Sequence, residues 1–181
     1  MPKLKFSLLI LDAGVVITLH QLGLWQQVVD RCDIHVSRVV AEVESLFHID
    51  ANSEPGDYGQ GIDLGPDIDA GRITRFEVPI DQIRRFRERF DDSYASGIHD
   101  GEAESLAYLF SQPGDWLISS GDAIVFKVLG NAGRSEDGIS LEEILQRLGL
   151  SKPVDWQYTK AFRLKFDKVG STDQIQGRGL K

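Results

Sequence analysis

The sequence predicts an α/β fold, a three-layer sandwich in which helices flank a mostly parallel central sheet. Short apolar runs typical of buried strands alternate along the chain with amphipathic helical segments. The length of 181 residues suits one domain with its own core, and 41% hydrophobic and 27% charged residues are ordinary globular values. In sheets of this kind, ligands bind at the carboxyl ends of the strands.

Two strands and their helices are predicted in the first quarter of the chain. Residues 4–11 form an apolar run that ends at Asp-Ala-Gly, as a buried strand ends at a turn. Residues 15–29 have a helical pattern with a break near Gly23. Residues 33–36 predict a second strand, and Ser37 is a suitable N-cap for a helix that continues to residue 47.

The middle of the chain predicts a loop-rich insertion over residues 50–79. Residues 50–69 contain six acidic residues, four glycines and no basic residue. We expect these carboxylates to be solvated. An amphipathic helix is predicted next, over residues 80–90.

The second half continues the alternation of helices and strands. Helices are predicted from Asp100 to Pro113, over residues 122–129 and over residues 140–148, and a strand over residues 116–119. Ser140 and Glu143 have the spacing of a capping box. Residues 151–181 are weakly patterned, and we expect residues 170–181 to fray.

The charge is uneven along the chain. The net charge is −8 overall, −12 over residues 1–150 and +4 over residues 151–181. An acidic body disfavours binding to nucleic acid unless its carboxylates collect divalent cations. The single cysteine excludes an intrachain disulfide and a zinc-finger framework. Because no apolar run is long enough for a membrane span, we expect a soluble, cytoplasmic protein.

Carboxylates recur at the positions where the predicted elements begin or end. Each has an ordinary explanation. An aspartate after a strand can cap a helix, and a glutamate on a helix can be solvated. Carboxylates in a first helical turn are stabilised by the helix dipole. A carboxylate in an apolar setting is, however, costly unless it is paired or binds a metal. The candidates are Asp12, Glu42, Glu102, Glu104 and Asp122.

In this order the four segments ILDAGVVI, VVAEVE, GEAESLAYL and LISSGDAIV resemble the PIN-domain family of metal-dependent ribonucleases, which includes toxins of toxin–antitoxin pairs. The resemblance covers about residues 5–131, and residues 50–95 are unmatched in detail. It implies a PIN-like nuclease domain over residues 1–150, which contains the insertion, followed by a basic C-terminal extension over residues 151–181.

The resemblance also implies which residues act. By position, Asp12, Glu42, Glu102 and Asp122 correspond to the family's four acidic ligands, and Glu104 is a fifth candidate. They would hold Mg²⁺ or Mn²⁺ for the hydrolysis of RNA. Ser120 takes the place of the hydroxyl that precedes the last aspartate by two residues, whereas Gly121 departs from the family, which often has Asp or Asn there. The resemblance also implies a small antitoxin protein as a partner and assembly into a homodimer.

Basic residues outside these segments are candidates for contact with RNA. Arg84, Arg85, Arg87 and Arg89 share the predicted helix at 80–90, and a solvated helix face is the alternative explanation. In the tail, Trp156, Tyr158, Phe162 and Phe166 alternate with Lys160, Arg163, Lys165 and Lys168. This pattern fits base stacking and phosphate contacts, or equally an amphipathic edge strand.

Two other functions remain open. A catalytically inactive PIN-like binding module would keep the fold without the chemistry. The segment LILDAGVV also resembles the nucleophile strand of haloacid-dehalogenase-like hydrolases, with Asp12 as nucleophile. Phosphatases of that group need a second aspartate two residues later, where this chain has Gly14.

Overall fold

The computed structural model describes residues 8–43, 47–48 and 59–181 of the chain. In these residues a four-stranded, all-parallel sheet lies between two layers of helices, so the predicted three-layer α/β sandwich is confirmed. Its strands are β1 (Leu9–Leu11), β2 (Ile34–Ser37), β5 (Thr74–Phe76) and β6 (Leu117–Ser119); β3 (Phe47–His48) and β4 (Gln60–Gly61) form a separate antiparallel pair.

Helices connect and cover the strands. The predicted break near Gly23 and the capping box of Ser140 and Glu143 are both present. The helices are α1 (Ala13–Gln21), α2 (Trp25–Arg31), α3 (Gly65–Asp69), α4 (Ile80–Arg87), α5 (Asp92–Ala95), α6 (Asp100–Ser111), α7 (Ala123–Asn131), α8 (Leu141–Arg147) and α9 (Lys160–Ile175). None of the helices in the described ranges is long and apolar enough to cross a membrane.

The strand order β5-β2-β1-β6 creates a topological switch point. The chain builds the sheet outward from β1 through β2 to β5, and then returns to place β6 on the other side of β1. In open parallel sheets, the crevice at such a reversal is where ligands bind, outside the carboxyl ends of the strands. Here that crevice lies between the ends of β1 and β6.

Both faces of the central strand β1 are buried, which explains its continuous apolar run Leu9–Leu11. On β1, Leu9 and Leu11 pack into a core under α1, α2 and α8. Ile10 points to the opposite face and joins a second core under α4, α6, α7 and α9. The alternation follows from the pleat of the strand.

The structure corrects the end of the loop-rich insertion predicted over residues 50–79, where Thr74–Phe76 form a strand of the main sheet. Residues 50–58 lie outside the described ranges, but β5 pairs in parallel with β2 and forms the edge of the main sheet. Asp67, predicted to be solvated, is buried: it accepts a hydrogen bond from Trp25 Nε1 at 2.9 Å and pairs with Arg72 Nη1 at 2.9 Å. A strand of three residues is too short to stand out in the sequence pattern.

The helix predicted after Ser37 is also shorter than expected. Ser37 Oγ accepts a hydrogen bond from the Val40 N–H at 3.1 Å, as an N-cap does. The chain then forms one π-helical turn, Val39–Val43, and Phe47–His48 form a strand instead of a helix end.

The C-terminal segment is ordered, contrary to the predicted fraying of residues 170–181. Helix α9 packs directly on α7, and a side chain on Gly130 or Gly170 would collide with the backbone of the opposite helix. Beyond α9, Asn131 Nδ2 donates to the Arg178 carbonyl at 2.8 Å, and Asn131 Oδ1 accepts from the Leu180 N–H at 2.8 Å. The alternative of an edge strand in this segment is wrong, because α9 is a helix.

Candidate acidic site at the switch point

Asp12 stands where β1 ends and α1 begins. Its N–H donates to the Ser119 carbonyl at 3.1 Å, which joins the ends of β1 and β6. Its side chain is 7% exposed; Oδ1 accepts from the Ala13 N–H at 2.9 Å and Oδ2 from the Ser120 hydroxyl at 2.9 Å. Asp12 is thus both the N-cap of α1 and a buried carboxylate at the switch point.

Asp122 occupies the equivalent position after β6. It caps α7, because Oδ1 accepts from the Ile124 N–H at 3.2 Å. The Asp122 N–H donates to Ser120 Oγ at 3.0 Å, while the same hydroxyl donates to Asp12. Ser120 therefore links the two aspartates and fixes their relative positions.

Glu102, in the first turn of α6, reaches the same crevice. Burial and the negative charges of Asp12 and Asp122 raise the pKa of Glu102 to about 7. Its Oε2 is buried and has no hydrogen-bond partner among the residues that the structure describes. Burial also raises the pKa of Asp12, the hydrogen bonds from Ser120 and Ala13 lower it in part, and the charge of Asp122 raises it. We call these three residues, Asp12, Glu102 and Asp122, the acidic cluster.

The acidic cluster has the donors that a hard divalent cation prefers. Within the described ranges, none of its carboxylates forms an ion pair with a lysine or arginine, and Glu102 Oε2 is free to accept a ligand. Carboxylate oxygens are the usual protein ligands of Mg²⁺. As the side chains stand, no three His, Cys, Asp or Glu residues of the described part form a group that could hold a metal ion. Side chains of the cluster would therefore have to rotate for a cation to bind.

Glu42 differs from the acidic cluster in having an arginine partner. Its side chain is half exposed, and Oε1 is 2.6 Å from Arg75 Nε on β5. The structure gives it no hydrogen bond or ion pair with Asp12, Glu102 or Asp122. The short turn after β2 places this carboxylate beside β5 at the edge of the sheet.

Glu104 lies on a different side of α6 from Glu102. The side chains of residues two apart in a helix are separated by roughly 200°, so they cannot face one crevice. Glu104 is 1% exposed and accepts a hydrogen bond from the Arg38 N–H at 3.0 Å, next to the end of β2. Burial raises the pKa of Glu104, and Arg38 lowers it in part.

The predicted basic residues of α4 divide between two sides of the helix. Arg84 and Arg87 line a cleft of about 670 Å³ together with Asp100 and Glu104, whereas Arg85 lines a different surface pocket. Each also has a carboxylate partner: Arg84 with Glu88 at 4.0 Å, Arg85 with Asp81 at 2.6 Å and Arg87 with Asp100 at 2.9 Å. Much of their positive charge is therefore already neutralised.

The sequence reasoning missed the role of Tyr158. Its buried ring covers Gly14 and Gly121: a Cβ on Gly14 would lie 2.7 Å from the Tyr158 hydroxyl oxygen, and one on Gly121 would lie 2.5 Å from Cε1. Gly121, which departs from the PIN pattern, is thus required by this contact. Gly14 likewise leaves no room for the second aspartate of a dehalogenase-like phosphatase. Gly14, two residues after Asp12, and Gly121, immediately before Asp122, were the signal for such a close approach.

Comparisons with models of known protein families, with curated proteins and with solved structures found no match for this chain. The resemblance to PIN domains therefore depends on the four ordered motifs. The function has to be inferred from the chemistry of the site.

Proposed function

We propose that this chain is a PIN-like ribonuclease that uses Mg²⁺ or Mn²⁺ to hydrolyse RNA phosphodiester bonds at the acidic cluster. The supporting observation is the convergence of Asp12, Glu102 and Asp122 at the switch point between β1 and β6, the position where parallel sheets bind ligands. Asp12 is buried and Glu102 is partly buried, and neither has a basic partner among the described residues. Such carboxylates destabilise a fold, so their presence together favours a function that needs them.

The residues of the chain have distinct tasks in this proposal. Asp12 and Asp122 hold the cation, and Ser120 keeps them in place through its two hydrogen bonds. Glu102 supplies a third carboxylate with a free oxygen. A bound divalent cation would offset the charge of the phosphodiester and lower the pKa of a bound water.

The substrate and partners belong to the same proposal. Arg84 and Arg87, which line the cleft beside α6, would contact the RNA backbone in this proposal, although each has a carboxylate partner. A small antitoxin that covers the acidic cluster, a homodimer and a cytoplasmic location follow from the PIN resemblance.

An RNase assay on a mixed RNA pool tests the proposal. The wild-type protein, with Mg²⁺ or Mn²⁺, should cleave RNA, EDTA should abolish cleavage, and Asp122→Asn should lower the rate at least about a hundredfold. Glu136→Gln removes an exposed carboxylate elsewhere and is the matched control. Activity that survives EDTA or Asp122→Asn would contradict the proposal. Glu42→Gln in the same assay measures whether the fourth carboxylate implied by the resemblance contributes.

A catalytically inactive binding module is the second candidate. It is favoured by the finding that no three side chains in the described ranges form a ready metal site. It predicts that RNA binds with equal affinity in the presence of Mg²⁺ or EDTA and that neither Mg²⁺ nor Mn²⁺ supports cleavage. The two candidates are therefore separated by one assay.

A further inference from the structure

The turn at Trp156–Tyr158 forms one wall of the crevice that contains the acidic cluster. Tyr158 lies on Gly14 and Gly121, and a Cβ on Gly121 would lie 3.2 Å from Gln157 Cγ. Gly121 lies between Ser120 and Asp122, so this turn touches the loop that positions both aspartates. Trp156 directly precedes Gln157, so their Cα atoms are about 3.8 Å apart.

Trp156 is exposed in spite of its size. Its relative exposure is 53%, compared with 4% for Trp25 and 6% for Trp116, the other tryptophans of the chain. The side chain is nevertheless supported: its ring lies perpendicular to that of Phe162, with centroids 5.8 Å apart, and Phe162 is part of the core. An exposed indole held on an ordered element is suited to binding.

The other aromatic residues of the tail are less available. Tyr158 and Phe162 are 9% and 7% exposed, and Arg163 is committed to Glu143 and Asp167. The acidic cluster itself repels phosphates, so affinity for RNA has to come from groups beside it. Stacking on an aromatic ring supplies affinity without charge and tolerates any base.

We propose that Trp156 stacks on a nucleobase of single-stranded RNA beside the acidic cluster, as a substrate-binding residue. This inference rests on the proposed ribonuclease function and adds the group that holds the substrate. It assigns a use to the C-terminal segment, in which Trp156 directly precedes the two residues that contact the loop at Gly121.

Binding of a short oligouridylate in Mg²⁺ buffer tests this inference. The Asp122→Asn protein serves as the background, so that the oligonucleotide stays intact. Because Trp25 and Trp116 are buried, quenching of tryptophan fluorescence reports mainly on Trp156. Adding Trp156→Ala or Trp156→Phe should remove the quenching. The Kd, measured for every variant from the anisotropy of a dye-labelled oligouridylate, should rise about tenfold in Trp156→Ala and stay within about threefold in Trp156→Phe. Leu164→Ala, which removes another half-exposed apolar side chain of this segment, should leave the Kd unchanged.

Kinetics on the otherwise wild-type protein complete the test. Trp156→Ala should raise KM about tenfold and leave kcat within about twofold. Cleavage by the wild type with an unchanged Kd and KM in Trp156→Ala would overturn this inference and leave the ribonuclease function intact. Absence of both binding and cleavage in the wild type would overturn the two together.

Discussion

Two groups of carboxylates in this molecule differ in whether they have a basic partner. In the acidic cluster, Asp12, Glu102 and Asp122 meet without an arginine or lysine partner among the described residues. In the second group, which we call the arginine cluster, Glu143 and Asp167 surround Arg163. Arg163 Nε and Nη2 donate to Glu143 at 2.8 and 2.9 Å, and Nη1 donates to Asp167 at 3.0 Å.

The pKa values express this difference. Burial tends to raise the pKa of Glu143, but hydrogen bonds from Arg163 and Ser140 lower it to about 2. Burial and neighbouring negative charges instead raise the pKa of Glu102 to about 7. At Asp167, burial outweighs Arg163 and raises the pKa to about 6, since the guanidinium is shared with Glu143. The arginine cluster joins α8 to α9 and favours the charged form of Glu143, whereas the acidic cluster disfavours the charged form of Glu102.

Replacing Arg163 should cause the largest change in the free energy of unfolding. Arg163→Met leaves two largely buried carboxylates without their cation, so we expect the free energy of unfolding to fall by about 3 kcal/mol. Urea unfolding at pH 7 measures this loss. Arg85→Met, which breaks the exposed pair with Asp81, is the control and should cost less than about 1 kcal/mol. Equal losses in the two variants would remove the distinction between the arginine cluster and a surface ion pair.

Neutralising Glu102 in the acidic cluster should instead raise the free energy of unfolding. Glu102→Gln removes a partly buried charge that Asp12 and Asp122 repel, so we expect a gain of about 1 to 2 kcal/mol at pH 8, after allowance for solvent screening. The measurement is urea unfolding without divalent cations. Glu136→Gln, an exposed change of the same charge, should shift stability by less than about 0.5 kcal/mol. A loss of stability in Glu102→Gln would show that the carboxylate is paired in the folded protein.

The pH dependence of stability should separate the clusters more finely. The folded pKa of Glu102 is raised from 4.5 to about 7, so its contribution is complete below 4.5 and is lost as the pH rises through 7. The folded pKa of Glu143 is lowered from 4.5 to about 2, so its contribution is present above 4.5 and is lost as the pH falls towards 2. The slope of the unfolding free energy between pH 4.5 and 7 should become smaller in Glu102→Gln, where Asp12 and Asp167 still contribute. The slope below pH 4.5 should become smaller in Glu143→Gln. The same slopes in wild type and variants would contradict these assignments.

The parts of the fold and site that depend on local sequence were predictable. Asp12 and Asp122 follow apolar runs and cap the next helix, and both signals lie within a few residues. Of the two candidate glutamates in α6, the structure brings Glu102 to Asp12 and Asp122. Strand order and the switch point were not predicted, because they depend on pairing between distant segments.

The features that were not predicted depend on contacts between distant segments of the chain. The position of Glu42 depends on Arg75, in a strand that lies in a region expected to be loop-rich. The wall formed by Tyr158 lies more than a hundred residues along the chain from Gly14, and no local pattern connects them. Helix α9 was not predicted because its periodicity is weak and it contains a glycine. In the structure, that residue, Gly170 of α9, and Gly130 of α7 allow the two helices to approach closely.

Calorimetric titration with Mn²⁺ tests the central claim most directly, that the acidic cluster is a cation site. The wild-type protein should bind Mn²⁺, Asp12→Asn should bind it at least about tenfold more weakly, and Glu136→Gln should match the wild type. No binding by the wild type, or an unchanged affinity in Asp12→Asn, would contradict the claim.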